Sequence, residues 1–77
     1  MAVRREFCEK DNIHITYTDD TVSFENMTTA DAILFKNDGS IIQNNFDEEK
    51  TSYFKKYFAQ IYQSVVALRN LDGLEIA

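Results

Sequence analysis

A chain of 77 residues is long enough for one domain, taken as 1–77, and no more. Thirteen acidic residues against eight basic ones give a net charge of −5, which disfavours a nucleic-acid backbone as partner and fits a basic protein surface or plain solubility. A single cysteine, Cys8, excludes an internal disulfide, and a single histidine, His14, with no Cys/His spacing leaves neither a metal nor a cofactor signature. A domain this small gains little net stability from its own core, so self-association remains as the available aid. Hydrophobic content of 44% and aromatic content of 13% are enough for a folded core. No window approaches a membrane span, and the N-terminus lacks the apolar run of a signal peptide. Together with the free cysteine, this points to a reducing, cytoplasmic setting.

Residues 1–12 are open to two readings. Val3 and Phe7 lie one helical turn apart, while Val3, Arg5 and Phe7 also alternate; the balance tips to an edge strand. Glu9-Lys10-Asp11-Asn12 then reads as a turn. From Ile13 the period is two: Ile13, Ile15 and Tyr17 alternate with His14, Thr16 and Thr18, and Val22 and Phe24 resume the pattern after Asp19-Asp20. A two-residue loop at Asp19-Asp20 sets Tyr17 opposite Val22 and Ile15 opposite Phe24, all on one face.

After a polar connection over 26–31 comes Ile33-Leu34-Phe35, then Asn37-Asp38-Gly39, then Ile41-Ile42. Asn-Asp-Gly between apolar runs is a strong hairpin signal, because Gly39 takes positive φ without strain. These two strands are apolar on both faces, which suits central strands covered on both sides. One cover is the helix that follows; the other would be the N-terminal segment or a second chain.

Phe54, Phe58, Ile61, Val65 and Leu68 recur four and three residues apart, so residues 47–71 read as a long helix. Asp47, or Asn45 with Glu48, caps its start. Asp47, Glu48 and Glu49 sit at the positive end of the dipole and Arg69 near the other end. Gly73 offers a stop, with Leu74-Glu75-Ile76 free to add an edge strand. The expected fold is α+β: an antiparallel sheet of two hairpins, four to five strands, with one long C-terminal helix packed on one face.

The apolar face of that helix is wider than its stripe. Tyr53, Tyr57 and Leu71 flank it on one side, Tyr62 and Val66 on the other. With Leu34 and Ile41 of the second hairpin, Tyr53, Tyr57, Tyr62 and Val66 are the candidate interface residues, since tyrosine is enriched where proteins meet. The competing reading is a core edge with the hydroxyls in water.

Chemistry is harder to find. His14 lies on the polar face of a strand with no nucleophile in motif with it. Cys8 stands between Glu6 and Glu9, which disfavours a thiolate. Asp19-Asp20 and Asp47-Glu48-Glu49 lack calcium-loop spacing. No nucleophile, base and oxyanion site assemble, so the expectation is no enzyme.

The run Ala32-Ile33-Leu34-Phe35-Lys36-Asn37-Asp38-Gly39-Ser40-Ile41-Ile42, with the helix through Leu68, resembles the strand–turn–strand–helix centre of Roadblock and longin-like domains. It covers about half the chain. Those domains are non-catalytic dimerising scaffolds, so the resemblance implies a scaffold subunit. The family has a helix before the first strand, where this chain has a predicted hairpin, and further strands after the long helix, where this chain has only a short tail.

The expected function is thus a small non-catalytic protein–protein interaction module, a homodimer or a subunit of a larger complex. The alternative is an acidic inhibitor or decoy that covers a basic surface of a nucleic-acid-handling enzyme through Asp19, Asp20, Asp47, Glu48 and Glu49.

Overall fold

The computed structural model describes residues 4–76, with side chains from Arg4 to Leu71. Five strands follow in chain order: β1 (Arg5–Lys10), β2 (Ile13–Tyr17), β3 (Thr21–Asn26), β4 (Ala32–Lys36) and β5 (Ile41–Asn44). They form one open antiparallel sheet in the order β1-β2-β3-β4-β5. One helix, α1 (Glu48–Ile76), comes last and lies across one face. This is the α+β arrangement of two hairpins and a long helix, extended by an N-terminal edge strand.

Each turn has its own chemistry. Asp11 and Asn12 both take positive φ, 51° and 67°, and short polar side chains tolerate that region in a two-residue hairpin. The Asp19-Asp20 loop needs no positive φ; instead the Thr18 hydroxyl accepts from the backbone N–H of Asp20 and Thr21. The register there is the expected one, Tyr17 opposite Val22 and Ile15 opposite Phe24. Gly39 sits at φ 90° with open space where a Cβ would stand, so the backbone conformation alone demands glycine.

Alternation sorts the sheet into two faces. Ile15, Tyr17, Val22, Phe24, Ile33 and Phe35 point to the helix and are buried with Phe54, Phe58 and Val65. Phe24 is the hub: its ring meets Phe35, Phe54 and Tyr57 at 5.8, 5.3 and 5.3 Å. Phe58 stacks on Phe35 at 4.8 Å, and Phe46 closes the end beside Phe54. A bulge in β1 between Glu6 and Cys8 interrupts the alternation, and Phe7 and Cys8 both pack against the core.

The structure corrects four expectations. Arg5–Lys10 is the edge strand that the alternation favoured, so the described N-terminal residues are not the second cover. The second hairpin is not central: β5 is an edge, and all four of its residues are exposed. Its opposite face is polar apart from Ala32 and Leu34, because Ser23 and Gln43 flank Leu34. Finally, α1 runs through Gly73 to Ile76, so Leu74-Glu75-Ile76 adds no strand and Arg69 lies inside the helix. One glycine costs a helix only about 1 kcal/mol, too little to end it unaided.

The long dimension of the molecule, 41 Å, is set by this helix, since 29 residues at the helical rise span about 43 Å. Strands of four to six residues are less than half as long, so the helix outruns the sheet.

Candidate functional site

α1 is pinned to the sheet at two places, near its start and at Arg69, and the pins decide which flank of the helix faces which edge. At the start, Asp47 caps the helix by accepting from the Lys50 N–H at 2.8 Å. The Asn44 side chain of β5 then donates to the Thr51 hydroxyl at 2.8 Å. Further along, the Arg69 guanidinium donates to the Thr18 and Thr21 carbonyls and to Asn37 Oδ1, and lies over the Tyr17 ring. Thr51 therefore marks the β5 flank of the helix. Tyr62 lies three turns beyond Thr51 and Val66 one turn further, both on that flank.

The opposite flank faces β1 and β2. Here Lys10, Asp11 and Ile13 around the β1–β2 turn and Tyr53, Lys56, Tyr57, Gln60 and Ile61 of the helix line a cleft of about 460 Å³. Ile13, Tyr57 and Ile61 are partly buried and form its apolar floor; Lys10, Asp11, Lys56 and Gln60 are exposed and form a polar rim. Tyr53 stands at the lip, 57% exposed, packed edge-on against Phe54 and Tyr57. Burial pushes the Tyr57 hydroxyl above the usual tyrosine range, with Cys8, Tyr53 and Asp11 adding to the effect.

The six candidate interface residues thus separate. Tyr53 and Tyr57 belong to the cleft. Tyr62 and Val66 belong to the β5 flank, where Tyr62 also packs on Phe58 at 5.2 Å. Ile41 pairs with Phe35 on the helix side of β5, and Leu34 lies beside Ala32 on the otherwise polar face. Sequence reasoning missed Ile13, Lys56, Gln60 and Ile61 as cleft residues, because only the tertiary crossing of helix over hairpin brings them together. It also missed Ile42, the extra residue of a bulge between Gln43 and Ile41, which is 50% exposed. The signal for Ile42 was there: two isoleucines followed at once by Gln43-Asn44-Asn45 make a strand too short to be central.

The acidic candidates are not brought together. Asp19 and Asp20 occupy the β2–β3 loop near Arg69, whereas Asp47, Glu48 and Glu49 cap the other end of α1. About 22 residues of helix, roughly 33 Å, separate the two clusters.

His14 and Cys8 lie on opposite faces of the sheet. His14 approaches Glu6 at 3.5 Å on the polar face, while Cys8 pairs with Ile15 on the helix side. Among the described residues no three His, Cys, Asp or Glu side chains converge on a metal position, and no helix is long and apolar enough to cross a membrane. No family model, curated protein or solved structure matches this chain. The strand–turn–strand–helix run is β4, β5 and α1, preceded by three strands of the same sheet.

Proposed function

We propose that this protein is a small non-catalytic protein–protein interaction module that works as a homodimer or as a subunit of a larger complex. The observation that carries this reading is the cleft between the β1–β2 turn and α1. Its floor is apolar and its rim polar, which is the anatomy of a protein contact patch. Tyr53 at its lip stays mostly in solvent although the buried core is complete without it. A tyrosine held at low entropic cost beside a second tyrosine is a typical anchor for a partner side chain. Net charge near the cleft is positive, from Lys10 and Lys56 against Asp11, on a chain that is acidic as a whole.

Replacing Tyr53 with serine separates binding from folding. Because Tyr53 is exposed, Tyr53→Ser should move the melting temperature by no more than about 2–4 °C. Its binding to any partner recovered with the wild-type chain should weaken by about tenfold or more, as loss of an interface anchor does. Titration of the purified partner against both chains measures this. Equal affinities for the two chains, or a wild-type chain that stays monomeric and retains no protein specifically, would overturn the proposal.

A further inference from the structure

Both glycines of the chain follow an aspartate: Asp38-Gly39 in the β4–β5 turn and Asp72-Gly73 in α1. An Asp-Gly step carries its own covalent chemistry. Glycine has no Cβ to crowd its amide nitrogen, so that nitrogen can close a ring on the carboxyl carbon of the aspartate before it. The new N–C bond forms as the carboxyl hydroxyl and the amide proton leave as one water. Water then reopens the succinimide. Opening at the main-chain carbonyl leaves the backbone running through the aspartate side chain, as isoaspartate, with no net change of mass.

In the folded turn both reacting groups at Asp38-Gly39 are occupied. The Gly39 N–H donates to the Lys36 carbonyl at 2.9 Å, and the Asp38 carboxylate accepts from the Ser40 N–H at 2.8 Å. Ring closure needs the protonated carboxyl, because a carboxylate is a poor electrophile. Hydrogen bonds from Ser40, then the charge of Lys36, hold the Asp38 carboxyl below its usual range. Asn37, just before it, is tied down as well: it donates to the Asp19 carbonyl and accepts from Arg69. Burial gives no protection. Asp38 is exposed and open space lies over Gly39, so water reaches this step freely.

We propose that Asp38-Gly39 is a modification site guarded by its own turn: it converts to isoaspartate only while the β4–β5 turn is open, and the product does not fit the closed turn. Isoaspartate puts one extra main-chain carbon between Asn37 and Gly39. The bonds Lys36 N–H to Ser40 carbonyl and Gly39 N–H to Lys36 carbonyl both span that position, so both lose their geometry. Among the described residues β5 pairs with β4 alone. A turn that no longer closes therefore loosens β5 and the Asn37 end of the Arg69 pin. The site shares no residue with the tyrosine cleft and stands independently of the interaction reading.

The test ages the full chain for several weeks at mildly acidic pH, folded and in urea, and maps isoaspartate in digests. In urea, Asp38 and Asp72 should convert at similar rates. In the fold, Asp38 should convert at least about tenfold more slowly than in urea, as a reaction gated by local opening does. Arg69→Ala loosens the turn without touching Asp38. It should speed conversion at Asp38 and exchange of the Gly39 N–H together, each variant being calibrated by its own rate in urea. Asn37→Ser, which removes the ties to Asp19 and Arg69, serves the same purpose if Arg69→Ala does not fold. The purified isoaspartate form should melt lower than the unmodified chain and exchange faster at residues 41–44, with β2 unchanged.

Equal rates at Asp38 with and without urea overturn the proposal. So does a variant that speeds Gly39 exchange and leaves the conversion rate alone, because opening then does not gate the chemistry. An isoaspartate form with native exchange at residues 41–44 overturns it too, since the closed turn would then accept the product.

Discussion

Phe24 and Tyr57 show how two residues in contact answer to different physics. Phe24 is fully buried and touches three other rings, so Phe24→Ala should cost about 3–5 kcal/mol. Small domains hold only about 5–15 kcal/mol in all, so this variant should lose much of its stability in a urea melt. Phe58→Ala, at the rim of the core and 8% exposed, should lose less. The reverse order would mean that the centre of the core lies over β4 rather than β3. Tyr57 is governed by its hydroxyl. Burial first, then nearby Cys8, Tyr53 and Asp11, favour the neutral phenol in the fold. Its contribution to stability is thus complete below the unfolded tyrosine value of about 10 and is lost as pH rises through the higher folded value. Phenolate absorbance should show a late-ionising tyrosine that is absent from Tyr57→Phe, and the variant should lose less stability than wild type on the alkaline side. A variant that loses an ordinary tyrosine transition and keeps the late one would refute the assignment.

At the scale of elements, α1 is fixed by burial and aimed by its pins. The Phe54, Phe58 and Val65 stripe places the helix on the sheet, but a stripe permits sliding and rotation. Arg69 removes much of that freedom by reaching the β2–β3 loop and the β4–β5 turn together. Arg69→Ala should cost about 1–3 kcal/mol, the range for charged hydrogen bonds to backbone, and speed hydrogen exchange first at Thr21 and Asn37. Arg69→Lys should recover only part of the loss, because an ammonium cannot replace a planar fork that serves three acceptors. Equal exchange in all three proteins would show that the pin is decorative. The turns illustrate the same division. Thr18 supplies by side-chain hydrogen bonding what Asp11-Asn12 and Gly39 supply by positive φ.

At the scale of the whole molecule, one layer of helix on one layer of sheet covers one face only. The uncovered face carries His14, Thr16, Ser23 and Glu25, and Arg4 donates to the Thr16 and Thr21 hydroxyls across it. It is therefore suited to water. Apolar surface is left instead along the two long flanks of α1, because a single helix over five strands cannot roof both outer strands. The cleft beside the β1–β2 turn and the strip beside β5 are the two results of that mismatch.

Alternation over Ile13–Phe24, the Asn-Asp-Gly turn and the helical stripe determined the fold class and the first hairpin register from the amino acids alone. These signals are local: each depends on residues within a turn or a strand pair. That β5 is an edge, how the bulges at Phe7 and Ile42 redirect side chains, and which tyrosine meets which flank were decided only by the tertiary structure. So was the passage of the helix through Gly73. Such features depend on contacts between residues tens of positions apart, such as Arg69 with Thr18, and no local period encodes them.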